Sequence, residues 1–351
     1  MRYTTFGSQT GLRVSEYALG AGNFGTRWGS GATLDEARAV FDAFAEAGGT
    51  FIDTANGYQF GESEEQLGEF LAADRDHFTL ATKFTGSATA ESGISNTGNS
   101  RKNMVTSVEA SLRRLRTDYI DLLWVHFPDS VTPIEEILRG LDDLVRAGKI
   151  HHAGLSNFPA WRVSRAATLA EVRGWTPITG IQVEYSLVER TAERDLLPMA
   201  EALGLGVALW SPLGGGLLTG KYRESKEGRL TDWQRLVHTE STAQKTAVVD
   251  AVLAVAAETG ATAAQVAMAW LRERSARAAT PLIPVIGPRD TAQLTSYLDA
   301  LQVQLTDAQY NQLADASAPT LGVPHEIGAD RRATLLGGDA DAFRTSRVPV
   351  A

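Results

Sequence analysis

Between residues 17 and 300 the chain repeats one pattern eight times: a short apolar run, then a stretch with helical periodicity. The runs are Tyr17–Gly20, Thr50–Asp53, Phe78–Lys83, Ile120–Val125, Ile150–Leu155, Gly180–Glu184, Gly206–Trp210 and Leu282–Ile286. Strands separated by helices pair in parallel, because a parallel connection needs a crossover long enough to hold a helix. Eight such units are what a closed (β/α)8 barrel requires. The clearest helix follows the fourth run, with Ile134, Ile137, Leu138, Leu141, Leu144 and Val145 on one face, Pro133 at its first turn and Gly148 past its end. Thr33 and Glu36 form a capping box that starts an earlier helix. The pattern predicts a single α/β TIM barrel over residues 1–318, opened by an N-terminal hairpin.

Several segments stand outside the repeat. Residues 211–242 form a long polar loop after the seventh strand, the length of a lid or binding loop. Extra helices are expected at 262–274 and 306–316, and a tail at 319–351 can add to a substrate pocket. Pro284 lies inside the eighth run and has no N–H to donate, so either the strand begins there or its ladder skips a bond.

Composition narrows function by exclusion. With 43% apolar and 21% charged residues, a chain of 351 residues builds a sizeable core. Lys and Arg total 33 against 42 Asp and Glu, a net charge of −9, which argues against nucleic-acid binding. The absence of cysteine removes disulfides, thiolate nucleophiles and Cys-ligated metals. No uninterrupted apolar stretch reaches membrane-spanning length and none at the N-terminus resembles a signal peptide, so a cytoplasmic protein without a membrane partner is expected.

Gly20-Ala21-Gly22-Asn23-Phe24-Gly25 matches the dinucleotide fingerprint G-x-G-x-x-G, but the mechanism of that motif needs a helix to open at the glycines. Here they lead into Thr26–Gly31, and a loop is the better reading. A second constellation is more informative. Asp53, Lys83 and His126 close or follow three consecutive strands, and Tyr58 follows the first of them by a short turn. Neighbouring strands lie about 4.8 Å apart, so these ends converge at the C-terminal rim, where barrel enzymes keep their active sites. Burial of Asp53 and Lys83 in apolar runs implies that they pair.

Phe51–Leu71 (FIDTANGYQFGESEEQLGEFL) resembles the signature of the aldo-keto reductase superfamily. The likeness continues through Gly154–Phe158, Gln182–Ser186, Leu209–Gly216 and Pro284–Arg289, covering about residues 2–316. It implies reversible reduction of an aldehyde or ketone to an alcohol, with a small-molecule carbonyl or alcohol as partner. The catalytic tetrad of the family falls on Asp53, Tyr58, Lys83 and His126. Tyr58 would be the general acid, activated by Lys83 and Asp53, with His126 orienting the carbonyl. A phenol is a weak acid in water, and a nearby ammonium favours loss of its proton.

The resemblance also implies a nicotinamide cofactor. Gly22, Asn23 and Asp53 would line its site, Ser156, Asn157 and Gln182 would meet the carboxamide, and Trp210 would stack on the ring. Ser211, Pro212, Leu213, Gly215 and Lys221 would wrap the diphosphate, and Gly287, Arg289 and Gln293 the adenosine end. The planar fork of Arg289 suits a 2′-phosphate, which favours NADPH over NADH. Tyr297 stands where the family often carries Asn, and Pro288 where Ala is common, so stacking at Tyr297 can replace a hydrogen bond to adenine. Phe24, Trp28, Tyr58, Phe84 and Phe127 would form the substrate pocket, with loop 85–100 beside them.

Two rival classes fit less well. A metal hydrolase needs converging ligands, but His151 and His152 are adjacent on a strand and face opposite sides. A serine hydrolase needs the second glycine of the nucleophile elbow, absent after Ser156. The alternative within the same fold is a non-enzymatic nicotinamide-sensing subunit, and retention of all four tetrad positions favours the enzyme.

Overall fold

The computed structural model describes residues 1–223, 238–344 and 346–350. A hairpin of β1 (Tyr3–Thr5) and β2 (Arg13–Ser15) comes first. Eight parallel strands then close into a barrel: β3 (Ala18–Gly20), β4 (Phe51–Asp53), β5 (Thr79–Phe84), β6 (Ile120–Val125), β7 (Ile150–Ser156), β8 (Ile178–Glu184), β9 (Gly206–Trp210) and β10 (Leu282–Ile286), with β10 pairing back to β3. The (β/α)8 expectation holds.

Helices α1 (Leu34–Glu46), α2 (Glu62–Phe70), α3 (Arg101–Leu115), α4 (Ile134–Arg146) and α5 (Ala160–Arg173) pack outside. The capping box at Thr33 is formed, its backbone N–H donating to Glu36 at 2.8 Å. On α4 the stripe from Ile134 to Leu144 is buried as its spacing predicts, each such side chain contributing roughly 1.5–3 kcal/mol. The next helix, α6 (Leu196–Ala202), is shorter than the 193–203 expected. A separate 3-10 turn at Thr191–Glu193 precedes it, and Pro198 sits in its first turn.

Pro284 lies in mid-strand, two residues after β10 begins. Leu282, Ile283 and Pro284 are in register with β9, whereas Val285 and Ile286 pair with β3, so the proline marks where pairing passes between neighbours. After β9, the start of the long loop is 3-10 turns at Gly214–Thr219 and Lys221–Arg223, while 224–237 lie outside the described residues. Helices α7 (Ala243–Thr259), α8 (Ala263–Arg277), α9 (Thr291–Asp299) and α10 (Asp307–Ala316) follow. The tail carries α11 (His325–Leu335), approached through Arg194, which donates to the Val323 carbonyl at 3.1 Å, and through Asp195, 3.2 Å from His325. Among the described residues, no single helix is long and apolar enough to cross a membrane.

Strand alternation sorts the core in two. Ala18, Phe51, Ala81, Leu122, Trp124, Ala208, Ile283 and Val285 point into the barrel, and the residues between them point out to the helices. Phe6, from the hairpin, plugs the N-terminal end, edge-on to Phe51 (5.7 Å) and Trp124 (6.0 Å). Gly180 and Gly206 make room for it, since a Cβ at either would meet its ring at 2.4 and 2.8 Å. Access to the interior is left at the C-terminal rim.

Candidate active site

The inward parity that places Phe51, Ala81 and Trp124 also aims Asp53 and Lys83 into the barrel at its rim. Both are buried, and the Lys83 ammonium spends its three donors on Asp53 Oδ2 (2.5 Å), the Thr54 carbonyl (2.7 Å) and the Tyr58 hydroxyl (3.3 Å). Burial opposes the charge on Lys83, but Asp53 and then Tyr58 outweigh it and raise its pKa. The other oxygen of Asp53 accepts from Trp124 Nε1 (3.1 Å) and Gln182 Nε2 (2.9 Å). His126 follows β6, its ring 6.0 Å from that of Tyr58 and stacked on Phe127 at 4.2 Å. It is partly open to the cavity and crowded by protein elsewhere. Burial, followed by the charge of Lys83, holds its pKa well below the ordinary histidine value, so the imidazole is neutral at neutral pH.

A cavity of about 700 Å³ opens over this cluster. Asp53, Tyr58 and His126 lie at one end; Asn157 just after β7, Gln182 on β8 and Trp210 on β9 follow. Ser211, Pro212, Leu213, Gly215 and Lys221 continue the wall after β9. Gly287, Arg289, Gln293 and Tyr297 close it after β10, and Gly22 and Asn23 line it from the turn after β3. Asn23 Nδ2 donates to the Gly287 carbonyl at 3.0 Å, joining the two sides of the barrel seam. Gln293 accepts from the Arg289 N–H at 3.1 Å.

Some expected residues sit elsewhere. Phe84 is 1% exposed and Phe24 0%, and neither lines the cavity. Phe84 follows inward-pointing Lys83, so alternation turns it out to the helices; Phe24 packs edge-on against Phe70 of α2 at 6.2 Å. Ser156 is fully buried, its hydroxyl accepting from Asn157 Nδ2 at 3.0 Å. Asn157 also donates to the His126 carbonyl and accepts from Trp210 Nε1, leaving one lone pair of its side-chain oxygen for a ligand. Trp28 and Phe127, 37% and 48% exposed, do line the cavity beside Tyr58.

Sequence reasoning missed Trp124, whose parity with His126 was a usable signal, and Gln59, which no periodicity marks. Val285 of β10 also lines the cavity, with Thr219 from the loop after β9, Ala264 from α8 and Ser296 from α9.

The model of the aldo/keto reductase family matches residues 17–318. A norsolorinic acid reductase of Aspergillus flavus is 36% identical over 328 residues, covering 90% of this chain and 81% of its own. An NADP(+) aryl-alcohol dehydrogenase of Phanerodontia chrysosporium is 36% identical over 345 residues, covering 91% and 87%. A putative aryl-alcohol dehydrogenase of Saccharomyces cerevisiae is 33% identical over 351 residues, covering 96% and 90%.

Proposed function

The chain belongs to the aldo/keto reductase family, and on that premise we propose that it reversibly reduces aryl aldehydes or ketones to alcohols with NADPH rather than NADH. As a member it is an oxidoreductase acting on small carbonyl compounds. The observation that carries the reading is the buried ammonium of Lys83, held by Asp53 and donating to the phenol oxygen of Tyr58.

The cavity suits a nicotinamide dinucleotide. It runs from the tetrad past two amides and an indole to the cations of Lys221 and Arg289, then to the tyrosine ring of Tyr297. Gly215 and Gly216 adopt positive φ and carry no side chain to fill the floor beside Lys221. Arg289 would take a 2′-phosphate in its guanidinium fork. Gln182 gives one amide hydrogen to Asp53, so its carbonyl oxygen and second amide hydrogen would be the groups that meet a carboxamide. When bound, the nicotinamide supplies the hydride.

The chain's own residues handle the proton. Tyr58 donates its phenolic hydrogen to the carbonyl oxygen, and the Lys83 ammonium stabilises the negative charge left on the phenol. Asp53 keeps that ammonium charged and fixed. Neutral His126 donates a second hydrogen bond to the carbonyl oxygen, which orients it without adding a charge. Trp28 and Phe127 offer two exposed rings at this end, a setting for a flat aromatic body.

Reduction of 4-methoxybenzaldehyde, followed at the nicotinamide absorbance band with NADPH and with NADH, tests the reading. Arg289→Ala should raise KM for NADPH about tenfold or more, the loss of a charge-assisted contact, and leave KM for NADH nearly unchanged. Equal effects on both cofactors would remove the phosphate assignment, and no turnover with either would remove the reaction.

A further inference from the structure

The glycine-rich segment that mimics a dinucleotide fingerprint has a different use here. Asn23 and Ala32 form the neck of a closed loop, with Ala32 N–H donating to the Asn23 carbonyl (2.7 Å) and Gly25 N–H to the Ala32 carbonyl (2.9 Å). Gly25 and Gly31 have φ of 107° and 139°. A Cβ on Gly31 would lie 2.0 Å from the Gly25 carbonyl oxygen, and one on Gly25 2.6 Å from the Glu62 carboxylate. These glycines let the loop close on itself and press against the start of α2. There Glu62 accepts from the N–H groups of Thr26 (2.8 Å) and Arg27 (3.0 Å), and Arg27 pairs with Glu65.

The deepest attachment is made by Gln59, the residue after Tyr58. Its side chain is 0% exposed, accepting from the Trp28 N–H at 2.7 Å and donating to the Ser30 carbonyl at 2.9 Å. The loop presents a donor and an acceptor two residues apart, and a primary amide answers both; a carboxylate answers one and a thioether neither. Gln59 and Phe60 both adopt left-handed backbone, φ 49° and 52°, a conformation costly for non-glycine residues unless the surroundings enforce it. The result of this staple is that Trp28 stands edge-on to Tyr58 at 6.2 Å and to Phe60 at 6.2 Å, beside the cavity it lines.

We propose that Gln59 is a positioning residue that fixes Trp28 as a wall of the carbonyl site, so that a side chain out of reach of the substrate sets which substrates fit. The proposal rests on the reading above that Trp28 borders the substrate. It predicts a selective defect. Without the amide, the Trp28 main chain loses this tether, and a broad aryl aldehyde that packs against the ring loses affinity, whereas a small aliphatic aldehyde does not. Tyr58 and its ammonium are untouched, so the rate of the bound complex survives.

The test compares wild type with Gln59→Met, which keeps the volume and removes both bonds, and Gln59→Glu, which keeps the acceptor for Trp28. KM and kcat are measured with NADPH for 2-naphthaldehyde and propanal, in the native background and with Trp28→Ala. Hydrogen exchange of the segment containing the Trp28 N–H gives a readout independent of turnover. Gln59→Met should raise KM for 2-naphthaldehyde about fivefold or more, as expected for a lost buried hydrogen-bond pair, with kcat and the propanal KM within about twofold. Exchange at Trp28 should speed up, Gln59→Glu should fall between, and in Trp28→Ala the Met substitution should add nothing to KM. An unchanged ratio of the two KM values, the same KM rise in Trp28→Ala, or an equal loss of kcat for both aldehydes would overturn the assignment. If the variants do not fold, slow exchange at the wild-type Trp28 N–H is still required, and fast exchange there would overturn it. A wild type that reduces neither aldehyde would instead sink the reductase reading, and this proposal with it.

Discussion

Lys83 has three hydrogens to give and no acceptor, and each hydrogen has a partner: a carboxylate, a main-chain carbonyl and a phenol. With both other tasks met, the bond to Tyr58 leaves the phenolic hydrogen free to point into the cavity. His126 is the counterpart. Packed round by protein and facing the same cation, it resists protonation. A histidine that takes up a proton less readily when folded lowers stability as pH falls, because below about 6.5 the unfolded chain binds a proton that the native one refuses. Urea unfolding between about pH 8 and pH 5 should therefore show wild type losing more stability on acidification than His126→Gln. Parallel losses would mean that this imidazole is protonated in the native state.

At the scale of elements, the periodicity of 2 along the strands decides what meets what. The sequence showed eight runs, their order and the residues ending them, and β6, β9 and β10 begin and end where expected. It did not show direction of side chains beyond alternation, and Phe84 illustrates the cost. An aromatic residue at a strand end reads as pocket lining until parity is counted from Lys83. Loops were less legible still, since the Gln59 side chain meets Trp28 at its main-chain N–H, which no residue type announces. Gly154, on β7 opposite Trp124, carries a prediction of the same kind. A Cβ there would lie 2.3 Å from the Trp124 ring and 2.9 Å from the Gly180 carbonyl, neither at the end of a flexible chain. Gly154→Ala should destabilise the protein by about 1–3 kcal/mol through overpacking. It should also slow turnover by displacing the indole that donates to Asp53; unchanged stability in urea would show that the barrel interior yields more easily than its packing implies.

Across the whole molecule, one end of the barrel is plugged and the other opens into the cavity. Phe6 fills the N-terminal end, and the C-terminal rim gathers Asp53, Lys83 and His126 from or beside adjoining strands, with Tyr58 on the turn between. The resemblance named the tetrad; the order of the strands said only that Asp53, Lys83 and His126 would converge at one rim. The route of the cavity toward Arg289 and Tyr297 followed from the resemblance, and the placements of Ser156 and Phe24 did not, since both depend on which neighbour covers them. The proposed reaction turns on Tyr58 giving a proton to a carbonyl beside the Lys83 ammonium. The most direct test is single-turnover reduction of 4-methoxybenzaldehyde by wild type and Tyr58→Phe, each preloaded with NADPH, alongside the cofactor Kd. The rate should fall by about 10²–10⁴ while the Kd stays within about twofold. A Tyr58→Phe enzyme that reduces the aldehyde at the wild-type rate would contradict the account.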